Sequence, residues 1–178
     1  MYKYLLFASG IHALDEPTCT ALALSGGGAL GAWEAGALWG MYFNSEDPTK
    51  FQYDVVSGVS VGAINGAVMA TFAPGDEVNM LNTLTNEWQG LTNDQLYQQW
   101  KPFGIVTGVN QKSGLMNEEP MHGWLDAFFE KMGNTFKRKI VVSSVDANSG
   151  NYIQWDENSP DPMKSVVSSA AIPFVFNN

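Results

Sequence analysis

Short unbroken apolar runs alternate along this chain with longer runs at helical spacing. After a polar break at Asp15-Glu16-Pro17-Thr18, the segment Thr20-Ala21-Leu22-Ala23-Leu24-Ser25 reads as a buried strand. Helical spacing starts just beyond it. Leu30, Trp33, Ala37, Leu38 and Met41 recur as one apolar face, with Gly36 and Gly40 thinning the helix where a neighbour packs closely. A polar, Pro-containing loop runs from Asn44 to Lys50. Tyr53-Asp54-Val55-Val56-Ser57 is a second strand-like run, and Ala63-Ile64-Asn65-Gly66-Ala67-Val68-Met69-Ala70 an Ala/Gly-rich helix. Val78, Leu81, Leu84 and Trp88 predict a third amphipathic helix ending near Gln89. Gln95 to Trp100 has helical spacing too, with Thr92 or Asn93 as its cap. Residues 101–118 are Gly-rich and mixed, and Asn117 to Lys131 is helical with Met121, Trp124, Leu125 and Phe128 inward. Lys139 to Asp146 forms a last strand, entered through a solvated Lys137-Arg138-Lys139 and followed by an Asn148-Ser149-Gly150 turn. This alternation predicts an α/β fold whose parallel strands bring their βα loops to one edge.

Two of those loops carry candidate chemistry. Gly58-Val59-Ser60-Val61-Gly62 lies between strand-like and helix-like runs, the context that a G-x-S-x-G nucleophile elbow requires. A serine in so sharp a turn is strained, and Gly58 and Gly62 let neighbouring backbone approach without a Cβ clash. Ser60 would then project its hydroxyl beside a helix N-terminus, which favours developing negative charge. The plainer alternative is that Ser60 caps the helix. The second loop, Gly26-Gly27-Gly28-Ala29-Leu30-Gly31, lets bare N–H groups converge on a small anion. A dinucleotide site is its first rival. The spacing is not the usual G-x-G-x-x-G, the acidic residues about twenty positions on (Asp47, Asp54) do not end the next strand, and no Gly-Lys-Ser/Thr follows.

Ser25-Gly26-Gly27-Gly28-Ala29-Leu30-Gly31-Ala32-Trp33-Glu34-Ala35-Gly36-Ala37-Leu38, followed by Gly58-Val59-Ser60-Val61-Gly62-Ala63-Ile64-Asn65, resembles the patatin-like phospholipase family. Lys139 to Asp146 with its turn, and Ser168-Ser169-Ala170-Ala171-Ile172-Pro173-Phe174, extend the resemblance from about Ala21 to the end of the chain. It implies a three-layer α/β sandwich with a mainly parallel central sheet. It also implies a lipid acyl hydrolase cleaving phospholipid or neutral-lipid esters with a Ser–Asp dyad. Ser60 would be the nucleophile, the Gly26, Gly27 and Gly28 amides the oxyanion hole, with Gly31 closing that motif. Members commonly carry a basic residue where this chain has Leu30. The dyad aspartate lies in an Asp-Gly-Gly or Asp-Gly-Ala downstream of the last matching stretch, and neither tripeptide occurs here. The fold is therefore expected to be incomplete at its C-terminus, as in a fragment or a protein completed by another chain. Val166, Val167, Ile172, Phe174, Val175 and Phe176 would then lie near an open sheet edge. Substitute bases in the sequence are His122, within a histidine triad, and Asp146, at a strand's C-terminal end. Asp54 is too close to Ser60 in sequence, and Asp156 and Asp161 lie in polar loops. Without a base, the chain would be a lipid-binding pseudoenzyme of the same fold.

Composition narrows the partners. The 178 residues suffice for one domain, and 18 acidic against 9 basic residues give a net charge of -9. With no basic stripe to track phosphates, nucleic acid is excluded as a partner. An acidic surface is repelled by anionic bilayers, whereas an apolar rim can dock on a neutral or zwitterionic lipid interface. Cys19 is the single cysteine and His12 and His122 the only histidines, so no intramolecular disulfide or cysteine-based zinc site is expected, and no cofactor is implied. Lys3 and the apolar run from Tyr4 to Ile11, ending in small residues at Ala13, have the order of a signal peptide and are too short to span a membrane. Residues 1–13 are thus expected to be a cleaved leader and residues 20–178 the domain, placing the protein outside the cell or in the endomembrane lumen. The alternative for residues 1–13 is a packed edge strand, with a cytoplasmic or peripheral membrane location.

Overall fold

A computed structural model describes residues 19–112 and 114–176. The expected leader lies outside them. Four strands form the main sheet in the order β1-β2-β5-β6, with β1 (Ala21–Leu24), β2 (Val55–Gly58), β5 (Lys139–Val145) and β6 (Tyr152–Asp156). The pairings β1–β2 and β2–β5 are parallel, in a register that sets Leu24, Gly58 and Val142 side by side at the C-terminal edge. β6 is antiparallel to β5. The expected mainly parallel α/β architecture is thus present. β6 had no expectation, because Tyr152, Gln154 and Asp156 are exposed while Ile153 and Trp155 are half-buried, and a strand so polar takes its place from backbone pairing with β5.

The elbow helix α2 (Val61–Ala70) is buried along its whole length and packs on β1, β2 and β5. This is why its sequence is apolar on every side. Around it lie α1 (Gly31–Phe43), α3 (Glu77–Gly90) and α7 (Pro162–Ala170), while α6 (Glu119–Lys131) joins through α7 and the four-residue α4 (Asn93–Leu96). One cluster holds Leu24, Val56, Val68, Met69, Leu84, Leu125, Phe129, Ile140 and Val166. No helix among the described residues is long and apolar enough to cross a membrane.

Several local expectations change. In α1 the buried face is Gly31, Ala35 and Leu38, and Trp33 and Leu30 are 73% and 65% exposed. A Cβ on Gly36 or Gly40 would meet nothing, so neither glycine marks close packing. Overall hydrophobicity on both sides of this helix conceals which side turns inward. α4 has the expected Thr92 cap, a full capping box with Gln95, but stops at Leu96. Gln98–Gln99 then form β3, paired with β4 (Met116–Asn117), and α5 (Ile105–Gln111) lies between them in the stretch taken as mixed. Val166 and Val167 face the core from α7, and Phe176 bridges to Met116 rather than lying on an open sheet edge. Ile172 and Phe174 do remain exposed.

Arg138 overturns the solvated strand entrance. Lys137 and Lys139 are exposed, but strand alternation turns Arg138 inward. Its guanidinium donates to Phe72 O at 2.8 Å, Tyr53 O at 3.0 Å, Ala73 O at 3.0 Å and Glu77 Oε1 at 3.1 Å. Glu77 Oε2 accepts in turn from Gly75 N–H at 2.8 Å. The pair therefore closes the carbonyls left open where α2 ends and α3 begins.

Candidate active site

Ser60 is separated from the last residue of β2 by Val59 alone and precedes the first of α2, at φ 56° and ψ −126°. Gly104 begins α5 at nearly the same angles, 58° and −128°, with the residue type for which that region is free of Cβ strain. The Ser60 carbonyl accepts from Ala63 N–H at 2.9 Å and Ile64 N–H at 3.2 Å, as an N-cap backbone should. Its side chain makes no capping hydrogen bond. The plainer reading, a serine retained to cap α2, lacks the bond that would justify it. Replacing Ser60 by glycine should stabilise the fold by about 1 kcal/mol, since a positive φ costs a non-glycine residue about that much or more. Urea denaturation measures this, and an unchanged or lower midpoint would deny the strain.

The flanking glycines are required by contact. A Cβ on Gly58 would collide with the Gly62 carbonyl, and one on Gly62 would stand 2.5 Å from Leu24 O. Both glycines thus let the start of α2 lie directly on the ends of β1 and β2. The glycine loop meets the elbow at Gly26, where a Cβ would be 3.1 Å from Ser60 Cβ and 3.8 Å from Ser60 Oγ. Gly27 faces Leu30, and Gly28, at φ 56°, has open space around its Cα. The N–H groups of Gly26, Gly27 and Gly28 donate to no acceptor among the described residues. Gly31 differs: its N–H is engaged by the Gly28 and Ala29 carbonyls, and a Cβ there would strike Val61 and Trp88. Its place is helix packing, so it leaves the set of candidate donors.

A polar bridge fixes the two loops relative to each other. Glu34 accepts from Ser25 N–H at 3.1 Å through Oε1 and from Asn65 Nδ2 at 3.0 Å through Oε2. Asn65, fully buried on α2, also donates to Gly31 O at 3.1 Å and accepts from Trp88 Nε1 at 2.8 Å. Sequence reasoning gave Glu34, Asn65 and Trp88 no such role. A buried asparagine in an otherwise apolar helix was the available signal, because such a group must find partners.

Beside the elbow, a cavity of about 870 Å³ runs along the C-terminal end of β5 and the adjoining β6, bordered by Val59, Trp155, Val167, Glu118, His122 and Asp146. Its volume is in the range of small-molecule sites. His122 Nε2 lies 3.6 Å from Glu118 Oε1, and Glu118 Oε2 is buried without a hydrogen-bond partner among the described residues. Burial raises the Glu118 carboxyl above its ordinary range, against the opposing pull of His122. A carboxyl whose folded pKa is raised contributes its stability below the unfolded value, about 4.3, and loses it as pH rises through the folded value. Glu118→Gln should therefore gain stability relative to the wild type as pH rises above the unfolded value, as read by thermal melts. A pH-independent difference would show that burial is not penalising the charge.

The aspartates are occupied elsewhere. Asp146 accepts from Asn148 N–H at 3.0 Å and Ser149 Oγ at 2.6 Å, which hold its carboxyl below the ordinary range. Asp54 accepts from Thr20 N–H at 2.8 Å at the opposite end of the strand from Ser60. Asp156 accepts from Asn158 N–H in its own turn, and Asp161 caps α7. Asp47, a candidate acid for the dinucleotide reading, caps a 3₁₀ turn.

Two solved structures are similar to this chain at 15% identity. The type III effector protein ExoU aligns over 88% of this chain and 40% of its own, with a TM-score of 0.49. VipD from Legionella pneumophila aligns over 90% of this chain and 43% of its own, with a TM-score of 0.44. The chain thus spans about two-fifths of each. No curated protein matches. The sequence model of one family covers both glycine motifs, the elbow and everything after them: over residues 22–178 it is that of the patatin-like phospholipases, and the chain belongs to this family.

Proposed function

We propose that the protein is a serine lipid acyl hydrolase acting on ester bonds of phospholipids or neutral lipids. Ser60 Oγ attacks the ester carbonyl carbon and passes its proton to a general base, which returns it to the leaving alcohol, while the Gly26, Gly27 and Gly28 amides receive the oxyanion. Collapse of that intermediate expels the alcohol, which takes up a proton, and water then hydrolyses the acyl-serine to release the fatty acid. Support rests on one observation above the rest: a serine is kept at a positive φ with its hydroxyl uncommitted, against a glycine loop with undonated amides. Leu30 and Trp33, exposed beside that loop, suit docking on a lipid interface, and the net charge of -9 favours a zwitterionic surface over an anionic one.

The test is covalent labelling with an organophosphonate. Wild-type protein should be modified at Ser60 and Ser60→Ala should not. A folded wild type that resists labelling would sink the proposal. The occupied aspartates favour a second reading, a lipid-binding pseudoenzyme. Of the substitute bases, Asp146 is held in its own turn, which leaves His122 on the cavity wall. General-base assistance contributes on the order of 10²–10⁴-fold, so a pseudoenzyme would retain lipid in its cavity yet show no ester turnover above the Ser60→Ala background.

A further inference from the structure

We propose that Ser169 is a positioning residue whose hydroxyl holds the Ser60 backbone in the elbow conformation, an inference that rests on the serine-hydrolase reading. A non-glycine residue persists at φ 56° only when its surroundings over-determine it. The Ser60 carbonyl is tied down by α2. Its N–H is tied by a residue 109 positions away: Ser60 N–H donates to Ser169 Oγ at 2.8 Å. Ser169 donates its own proton to Ser143 O on β5, at 2.6 Å.

The direction of this relay matters. Because the Ser169 proton is committed to a strand carbonyl, its lone pairs remain for the Ser60 amide, and the hydroxyl spans the gap between β5 and the elbow. The support is firm on both sides. Ser165, Val166, Val167 and Ala170 bury α7 around Ser169, and Ser143 belongs to the strand adjoining β2. The relay also removes the Ser60 amide from the possible oxyanion donors. It gives a physical role to the Ser168–Phe174 stretch, which the proposed chemistry otherwise leaves unused.

Three variants separate the hydroxyl from the volume it fills. Ser169→Ala removes the acceptor, Ser169→Cys nearly conserves size but accepts poorly, and Ser169→Thr retains the hydroxyl. Ser169→Ala and Ser169→Cys should slow organophosphonate labelling of Ser60 on the order of 10²-fold, as expected of a small misplacement of a reacting group. Ser169→Thr should restore most of the rate. Amide hydrogen exchange at Ser60 should quicken on the order of tenfold in the first two, the effect of losing one hydrogen bond, and stay slow in Ser169→Thr. Labelling of Ser169→Ala and Ser169→Cys at the wild-type rate would overturn the inference, as would unchanged Ser60 exchange in both. Should Ser169→Ala not fold, the near-isosteric Ser169→Cys decides alone. If the wild type itself is not labelled, the hydrolase reading fails, while the exchange measurement still judges the hydrogen-bond relay.

Discussion

Replacing Arg138 by methionine should cost about 3–5 kcal/mol of folding stability, the loss expected when one partner of a buried ion pair is removed. Both side chains of the Arg138–Glu77 pair are fully shielded from solvent. The variant strands the Glu77 charge and also leaves the Phe72 and Tyr53 carbonyls without their donor. Removing Glu77 as well, with methionine at both positions, should recover part of the loss, because an apolar pair carries no desolvation penalty. Urea denaturation of the two single variants and the double variant measures the coupling directly. A double variant less stable than Arg138→Met would show that the carboxylate does more than neutralise the guanidinium.

Gly62→Ala should cripple the site from outside the cavity. The added Cβ would stand 2.5 Å from Leu24 O and 2.7 Å from Ser25 O, both backbone atoms of β1 and its continuation into the glycine loop. Neither can rotate away, so α2 must shift from the strand ends and Ser60 must move relative to Gly26. Overpacking of this kind costs about 1–3 kcal/mol. Misplacing a nucleophile by about an ångström costs about 10²-fold in rate. Labelling of Ser60 should therefore fall by about that factor while the protein still folds, as followed by circular dichroism and mass spectrometry. Wild-type labelling in this variant would mean that the close approach is incidental to the chemistry.

The elbow was legible because its determinants are local: a strand, five residues and a helix carry the constraint between Val55 and Ala70. For α3 and α6 the helical period was readable for the same reason, although Val78 proves exposed and Glu77 and Phe129 buried. The leading error of pattern reading lies in α1. There Leu30, Trp33 and Met41 were expected inward with Leu38, and only Leu38 is, beside Gly31 and Ala35. Small residues such as Gly31, where a Cβ would strike Val61 and Trp88, let α1 approach its neighbours closely, and the bulky side chains are left in solvent.

By itself the sequence determined the family, the order of strands and helices through the elbow, and the two glycine turns, since each depends on neighbours only a few residues apart. Tertiary structure decided which face of α1 is buried, that Arg138 is an interior cation, that β6 closes the sheet, and that Gly31 packs rather than presents an amide. It also joined Ser60 to Ser169 across 109 positions and Glu34 to Asn65 across 31. Local periodicity constrains a residue's own backbone. The partner that satisfies a buried N–H, carboxylate or guanidinium is chosen by how distant segments meet, and no window of sequence contains both ends of that choice.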